Sequence, residues 1–203
     1  TAPRKSTFGL HKSRGVVARL SCLFALDAFG GGFVIQSIVV YWFNRRFGLG
    51  TAALGTLFMI ANVLAGFSSL WAASLARRFG LINTMVFTHL PSNILLILVP
   101  LMPDVWLAMF LLLLRFSISQ MDVPTRQSYT VAVVDPDERS AAAGITGIAR
   151  SVGVSLSPLL AGWLLAQASL LAVPFFIAGG CKIVYDLLLY RSFVRHKPPE
   201  ERG

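Results

Sequence analysis

The stretch VVARLSCLFALDAFGGGFVIQSIVVYWF, residues 16–43, decides the fold. Its only charges are Arg19 near the start and Asp27 near the middle, and three consecutive glycines, Gly30 to Gly32, interrupt it. At about 1.5 Å of rise per residue, a helix of this length exceeds the roughly 30 Å hydrocarbon core of a bilayer. Lipid tolerates an ionised side chain only where protein or a wet cavity covers it. The stretch therefore reads as a membrane helix, broken near mid-depth, with one face turned to a polar interior.

Five more runs of the same kind follow. Their expected bounds are 51–75, 81–101, 104–125, 138–167 and 171–193, separated by Arg45 to Gly48, Arg77 to Gly80, Pro100 to Pro103 and Asp135 to Asp137. Pro91, Pro124 and Pro158 fall inside the third, fourth and fifth runs. Such breaks are tolerated in membrane helices where neighbours satisfy the freed carbonyls, and small residues let helices pack closely. The expected class is an all-α membrane protein of six transmembrane helices. Its organisation is a basic cytoplasmic tail or central loop at 1–15, a six-helix bundle at 16–193 and a cytoplasmic C-terminal tail at 194–203.

Composition agrees. Hydrophobic residues are 55% of the chain, charged residues only 13%, and mean hydropathy is +0.69. A β-barrel is disfavoured, because the apolar runs are continuous rather than alternating. The net charge of +9 does not point to nucleic acid: Lys and Arg cluster in the short segments between and beyond the runs, with no basic helix face. With the N-terminus inside, thirteen of the 18 Lys and Arg residues fall on the inner side and only Arg45 and Arg46 outside. The positive-inside rule then makes both termini cytoplasmic in a multi-pass protein of the plasma (inner) membrane. Cys22 and Cys181 lie in apolar stretches and read as packed small hydrophobes, with no disulfide or metal spacing. The first fifteen residues are polar and basic, unlike a cleavable signal peptide. Thr1 in place of Met points to a processed chain or a fragment.

Three charges fall deep in the runs. Asp27 lies eight residues past Arg19, roughly 12 Å from the inner surface; Arg115 lies eleven residues from Asp104 and Arg150 eleven from Arg139, each roughly 16 Å deep. All three are expected to meet near the midplane, lining a transport cavity together with Gln36. One aspartate against two arginines leaves a surplus positive charge, to be balanced by a carboxylate from elsewhere or by an anionic ligand. An Arg that alternately paired with and left Asp27 would load and release protons there. Lys182 and Asp186, four apart, read as a neutralised pair on one helix face. Asp122 and Arg126, also four apart, flank Pro124 and read as a gate or anchor at the inner surface. Asn62, His89 and Asn93 either line a cavity or join helices.

These segments resemble the C-terminal half of a major facilitator superfamily transporter, over essentially the whole chain. Ala73 to Gly80, ASLARRFG, is similar to the second-half copy of the family's Gly-x-Leu-x-Asp-Arg-x-Gly loop: Arg78 and Gly80 match, Arg77 stands at the acidic position, and Leu81 and Ile82 replace the trailing basic pair. The fifth run, with Gly144, Arg150, Gly153, Ser157-Pro158 and Ala161-Gly162, is similar to the Arg-bearing, Gly/Pro-rich helices of that family. Asp122 to Gln127, DVPTRQ, resembles the inner end of its tenth helix. The resemblance implies half of a twelve-helix bundle, built from inverted three-helix repeats, whose first and fourth helices here line the cavity. It implies an alternating-access secondary transporter of a small solute, with proton-coupled efflux as the expected direction. The expected partners are an N-terminal six-helix half, the bilayer, protons and a small substrate that the surplus charge suits to an anion. Arg78, Gly80, Asp122 and Arg126 are the candidate cytoplasmic gate.

Other classes fit less well. ATP-driven pumping lacks its GxxxxGK[ST] loop. An intramembrane serine protease has only His89 as a base and no Gly-x-Ser-x-Gly elbow. A non-transporting scaffold or receptor would pair its charges internally and hold no accessible cavity. No cofactor or metal is expected.

Overall fold

Gly30 to Gly32 and Pro124 break the two helices in which the sequence places them, and the broken pieces organise the bundle. The computed structural model describes residues 9–194, and Arg4, Lys5, Arg195, Lys197, Arg202 and nearly all of the expected C-terminal tail lie outside them. The first span is α1 (Arg14–Gly32) and α2 (Gln36–Phe47); α3 (Thr51–Phe79) and α4 (Leu81–Leu98) follow. The fourth span is α5 (Val105–Ser119) and α6 (Asp122–Ala132), and α7 (Arg139–Leu165) and α8 (Val173–Phe193) complete the chain. The protein is a six-span membrane bundle: six of its helical segments are long and apolar enough to cross a membrane.

The fourth span runs to Ala132, beyond the expected end near Thr125. Pro124 is the third residue of α6, so its missing N–H costs no intrahelical bond, while its ring would clash with the carbonyl of Gln120 in a continuous helix. The chain therefore breaks at Gln120 and Met121 and restarts. In the first span, the backbone leaves the helix after Gly32, and Ser157 Oγ of α7 donates to the Phe29 carbonyl beside the break.

The packing is two-fold. The first span packs on the fifth and sixth (α1 on α7 and α8), and the fourth packs on the second and third (α5 and α6 on α3 and α4). The third and sixth, α4 and α8, pack on each other between them. Exchanging spans one to three with four to six maps this pattern onto itself. Three is an odd number of crossings, so the second triplet runs in the opposite sense, as in inverted-repeat transporters. The two broken spans occupy equivalent places.

The core has two apolar layers. One holds Phe33, Trp42, Phe43, Phe58, Leu112 and Phe175, with the Trp42 and Phe175 rings 4.9 Å apart. The other, toward the end that carries the N-terminus, holds Leu20, Phe24, Met85, Tyr129, Tyr185 and Phe193. Outside, large apolar side chains such as Trp71, Phe110, Leu159 and Trp163 are exposed, the arrangement expected of a bundle that meets lipid or another bundle.

A staple closes the N-terminal end. Glu138, fully buried just before α7, accepts backbone N–H bonds from His11, from Lys12 at 2.8 Å and from Ser13 at 2.9 Å, ahead of α1. His11 Nε2 meets Asp137 at 2.7 Å and Lys12 Nζ meets Asp135 at 3.1 Å. The start of the first span is thereby fixed to the connection between the fourth and fifth.

Candidate functional site

Between the two apolar layers lies an ionic one. The buried stripe of α1 reads Val17, Leu20, Phe24, Asp27, Ala28, so Asp27 takes a core position at helical spacing. The same holds for His89 and Asn93 on α4, Asp122 and Arg126 on α6, and Lys182 and Asp186 on α8. Seven polar or charged side chains thus face one another where a soluble core would be apolar. Low dielectric makes each unpaired member costly, so the layer is stable only if its charges meet.

They meet on Asp27. Its carboxylate accepts from Lys182 Nζ at 2.6 Å, Arg150 Nη1 at 3.0 Å and Arg126 Nη1 at 3.1 Å. These cations come from α8, α7 and α6. Arg126 also reaches Asp122 at 2.7 Å and lies over the Phe24 ring, 5.5 Å from its centroid. On the far side, His89 Nδ1 meets Asp186 at 2.8 Å, Asn93 Nδ2 donates to Asp186 at 2.9 Å, and His89 Nε2 faces Asp27 at 3.9 Å. The layer thus holds three carboxylates and three cations in ion-pair contact, with His89 between Asp27 and Asp186.

Close helix contacts make this reach possible. A Cβ on Gly153 would fall on the Ala25 carbonyl of α1, so only glycine lets α7 approach closely enough for Arg150, one turn earlier, to touch Asp27. Gly179 lies against Ile97 and the Asn93 carbonyl in the same way and seats α8 on α4 beside His89 and Asp186.

The layer opens on one side. A cleft of about 320 Å³ is lined by Asp27, Gly31, Gly147, Arg150, Ser151 and Lys182, among others. Arg150 is its accessible cation, with 34% of the side chain exposed, against 9% for Lys182. A solute entering here meets a guanidinium and an ammonium that are both already shared with one carboxylate.

Asp27 and Arg150 are brought together as the sequence suggests; Arg115 and Gln36 are not in the cleft. Arg115 lies on α5 with its Nε buried and unpartnered, its guanidinium over the Phe116 ring and no carboxylate within salt-bridge distance among the described residues. Gln36 is exposed at the start of α2, and Asn62 is exposed on α3. Among the gate candidates, Arg78 is exposed and stacks on Phe79, and Gly80 (φ 85°) makes the turn between α3 and α4. Asp122 and Arg126 are buried in the ionic layer, because the fourth span continues past them to Ala132. Lys182 and Asp186 do not neutralise each other: Lys182 bonds to Asp27 and Asp186 to His89 and Asn93. The roles of Lys182, His89 and Asp186 escape sequence reading, because spacing along one helix shows which residues share a face but not what a neighbouring helix presents to them.

Residues 20–203 match the family model of the Major Facilitator Superfamily. The chain belongs to that superfamily. It is also 29% identical over 196 residues, 96% of its length, to the uncharacterized membrane protein YJR124C of Saccharomyces cerevisiae, and it spans 44% of that protein. The two-fold packing of three-span units and the broken first and fourth spans agree with this membership. Members of the superfamily are transporters.

Proposed function

We propose that this chain is the C-terminal half of a twelve-helix secondary carrier that moves a small anionic solute together with protons, by rocking against an N-terminal six-helix half in the bilayer. The observation that supports it best is the cleft beside Asp27. Arg150 and Lys182 line it and can exchange the Asp27 carboxylate for a carboxylate or phosphate of a solute with no change in hydrogen-bond type. A sealed scaffold would pair its charges equally well but would not open two of them onto a cleft.

The reading extends to residues outside the cleft. Arg115, with its unpartnered buried Nε, takes its counter-charge from the other half or from the solute. Asp122 and Arg126 tie the broken fourth span to Asp27, so motion of that span is felt at the ionic layer. Arg78 and Gly80 form the turn of the loop on the gate side. The excess of Lys and Arg at the ends and in the α3–α4 and α6–α7 connections supports cytoplasmic termini, and the plasma membrane is the membrane proposed for the carrier. Gradients set the direction: a carrier that takes proton and anion together runs outward, as efflux, when the anion is in excess inside.

The test is uptake by vesicles holding the protein at its native length. Labelled inorganic phosphate, succinate and lactate are offered with and without an inward proton gradient. Accumulation of at least one above protein-free vesicles supports the reading. Equal accumulation of a neutral sugar and no anion overturns the anionic assignment, and no uptake at all overturns transport of these solutes.

A further inference from the structure

Asp27 is counter-ion to three cations from three helices and Asp122 to Arg126, whereas among the described residues Asp186 meets His89 and Asn93 and no lysine or arginine. One ionisable group faces both of these aspartates, Asp27 and Asp186. It is His89, buried at 4% exposure, between Asp186 at 2.8 Å and Asp27 at 3.9 Å. We infer that His89 is the proton-binding group of this carrier, and that it couples a proton to the anion through Lys182 and Asp27. This rests on the transport reading above.

Tautomer and position support the assignment. Asp186 accepts from Asn93 on one oxygen and faces His89 Nδ1 with the other, so the neutral ring places its proton on Nδ1 toward Asp186. Nε2 is then a lone pair aimed at Asp27. The ring is held edge-on to Tyr185, with centroids 5.9 Å apart, which fixes that aim. The groups that face His89 are Asp186 and Tyr185 of α8, Asp27 of α1 and Asn93 of its own helix; Lys182, Arg126 and Arg150 act on it through Asp27.

While Lys182 and Arg150 hold Asp27, a second proton on His89 would add an uncompensated charge to a neutral layer. An anion in the cleft changes this. It takes Arg150 and Lys182, and Asp27 loses two of its three cations. A proton from cleft water that binds Nε2 restores the balance: it adds one positive charge for the one negative charge that entered, and Nε2–H now points at Asp27. Releasing the anion returns Lys182 to Asp27 and expels the proton. Proton and anion therefore bind together and leave together, which is symport.

The experiment uses the native-length protein in vesicles and two assays: accumulation of labelled phosphate, succinate or lactate driven by a pH gradient, and exchange of the same anion at equal pH. For His89→Gln we expect accumulation to fall by about tenfold or more while a measurable share of exchange remains, and Asp186→Asn to show the same split. A purely structural role would reduce both assays together, so parallel loss in both variants overturns the inference. Wild-type accumulation in His89→Gln also overturns it. If the wild-type protein moves none of the three anions, the anion-transport reading fails and this inference falls with it; the wild-type control separates that case from the others.

Discussion

Lys182 reaches across to Asp27 at 2.6 Å, although Asp186 sits one turn away on its own helix. Both choices would satisfy the ammonium. The cross-helix choice ties α8 to α1 and leaves Asp186 for His89, so one side-chain orientation links the two sides of the layer. A buried pair of this kind contributes little when intact relative to apolar packing, but breaking it strands a charge.

Asp27→Asn should therefore destabilise the bundle by about 3–5 kcal/mol, because three cations lose their common counter-ion. Adding Lys182→Met should recover part of that loss, since one stranded cation is removed with its partner. Thermal melts of the two single variants and the double variant in detergent give the coupling. Additive losses would mean that the contact carries no interaction energy.

The α1–α7 crossing is a steric requirement. Gly153→Ala places a methyl on the Ala25 carbonyl, and overpacking of this kind costs about 1–3 kcal/mol. It should also pull Arg150 away from Asp27 and reduce transport more than stability. Gly144→Ala, on the same helix with nothing near its Cβ, is the control and should melt as wild type. Equal melting of both variants would show that the crossing is looser than described.

Much of this was legible in the sequence, for identifiable reasons. Continuous apolar runs marked all six spans, because length is a local property; of the marked interruptions, Gly30 to Gly32 and Pro124 coincide with breaks, whereas Pro91 and Pro158 lie inside the unbroken α4 and α7. Depth placed Asp27 and Arg150 at one level, and they touch. Depth gives no direction around a helix axis, however. Arg115 shares their depth yet has no carboxylate within salt-bridge distance among the described residues, and His89, a lone histidine in an apolar run, gave no sign of standing between two aspartates. A run ending near Thr125 puts Arg126 at the surface; the restart after Pro124 carries it inside.

Arg126 and Arg115 should respond differently to loss of charge. Arg126→Gln leaves Asp27 short of one cation and Asp122 without its own, so it should lower stability by about 3–5 kcal/mol. Arg115→Gln removes a cation that has no ion pair among the described residues, and this bundle should melt no lower for it. In the native-length protein, Arg115→Gln should still reduce anion uptake. Unchanged uptake would assign Arg115 to helix packing alone.

Exposure has two meanings on α7, and labelling separates them. Ser151 lines the cleft, while Leu159, at 77% exposure, stands among the apolar side chains outside the bundle. In a protein whose Cys22 and Cys181 are replaced by alanine, Ser151→Cys should react with a charged, water-soluble methanethiosulfonate. Leu159→Cys should not, because its exposed surface meets lipid or the other half. Phosphate or another transported anion should slow the reaction at position 151 by occupying Arg150 and Lys182 beside it. Rapid labelling at both positions would place the outer face of α7 in water, and protection at both would mean that the cleft is closed to solvent and the solute path lies elsewhere.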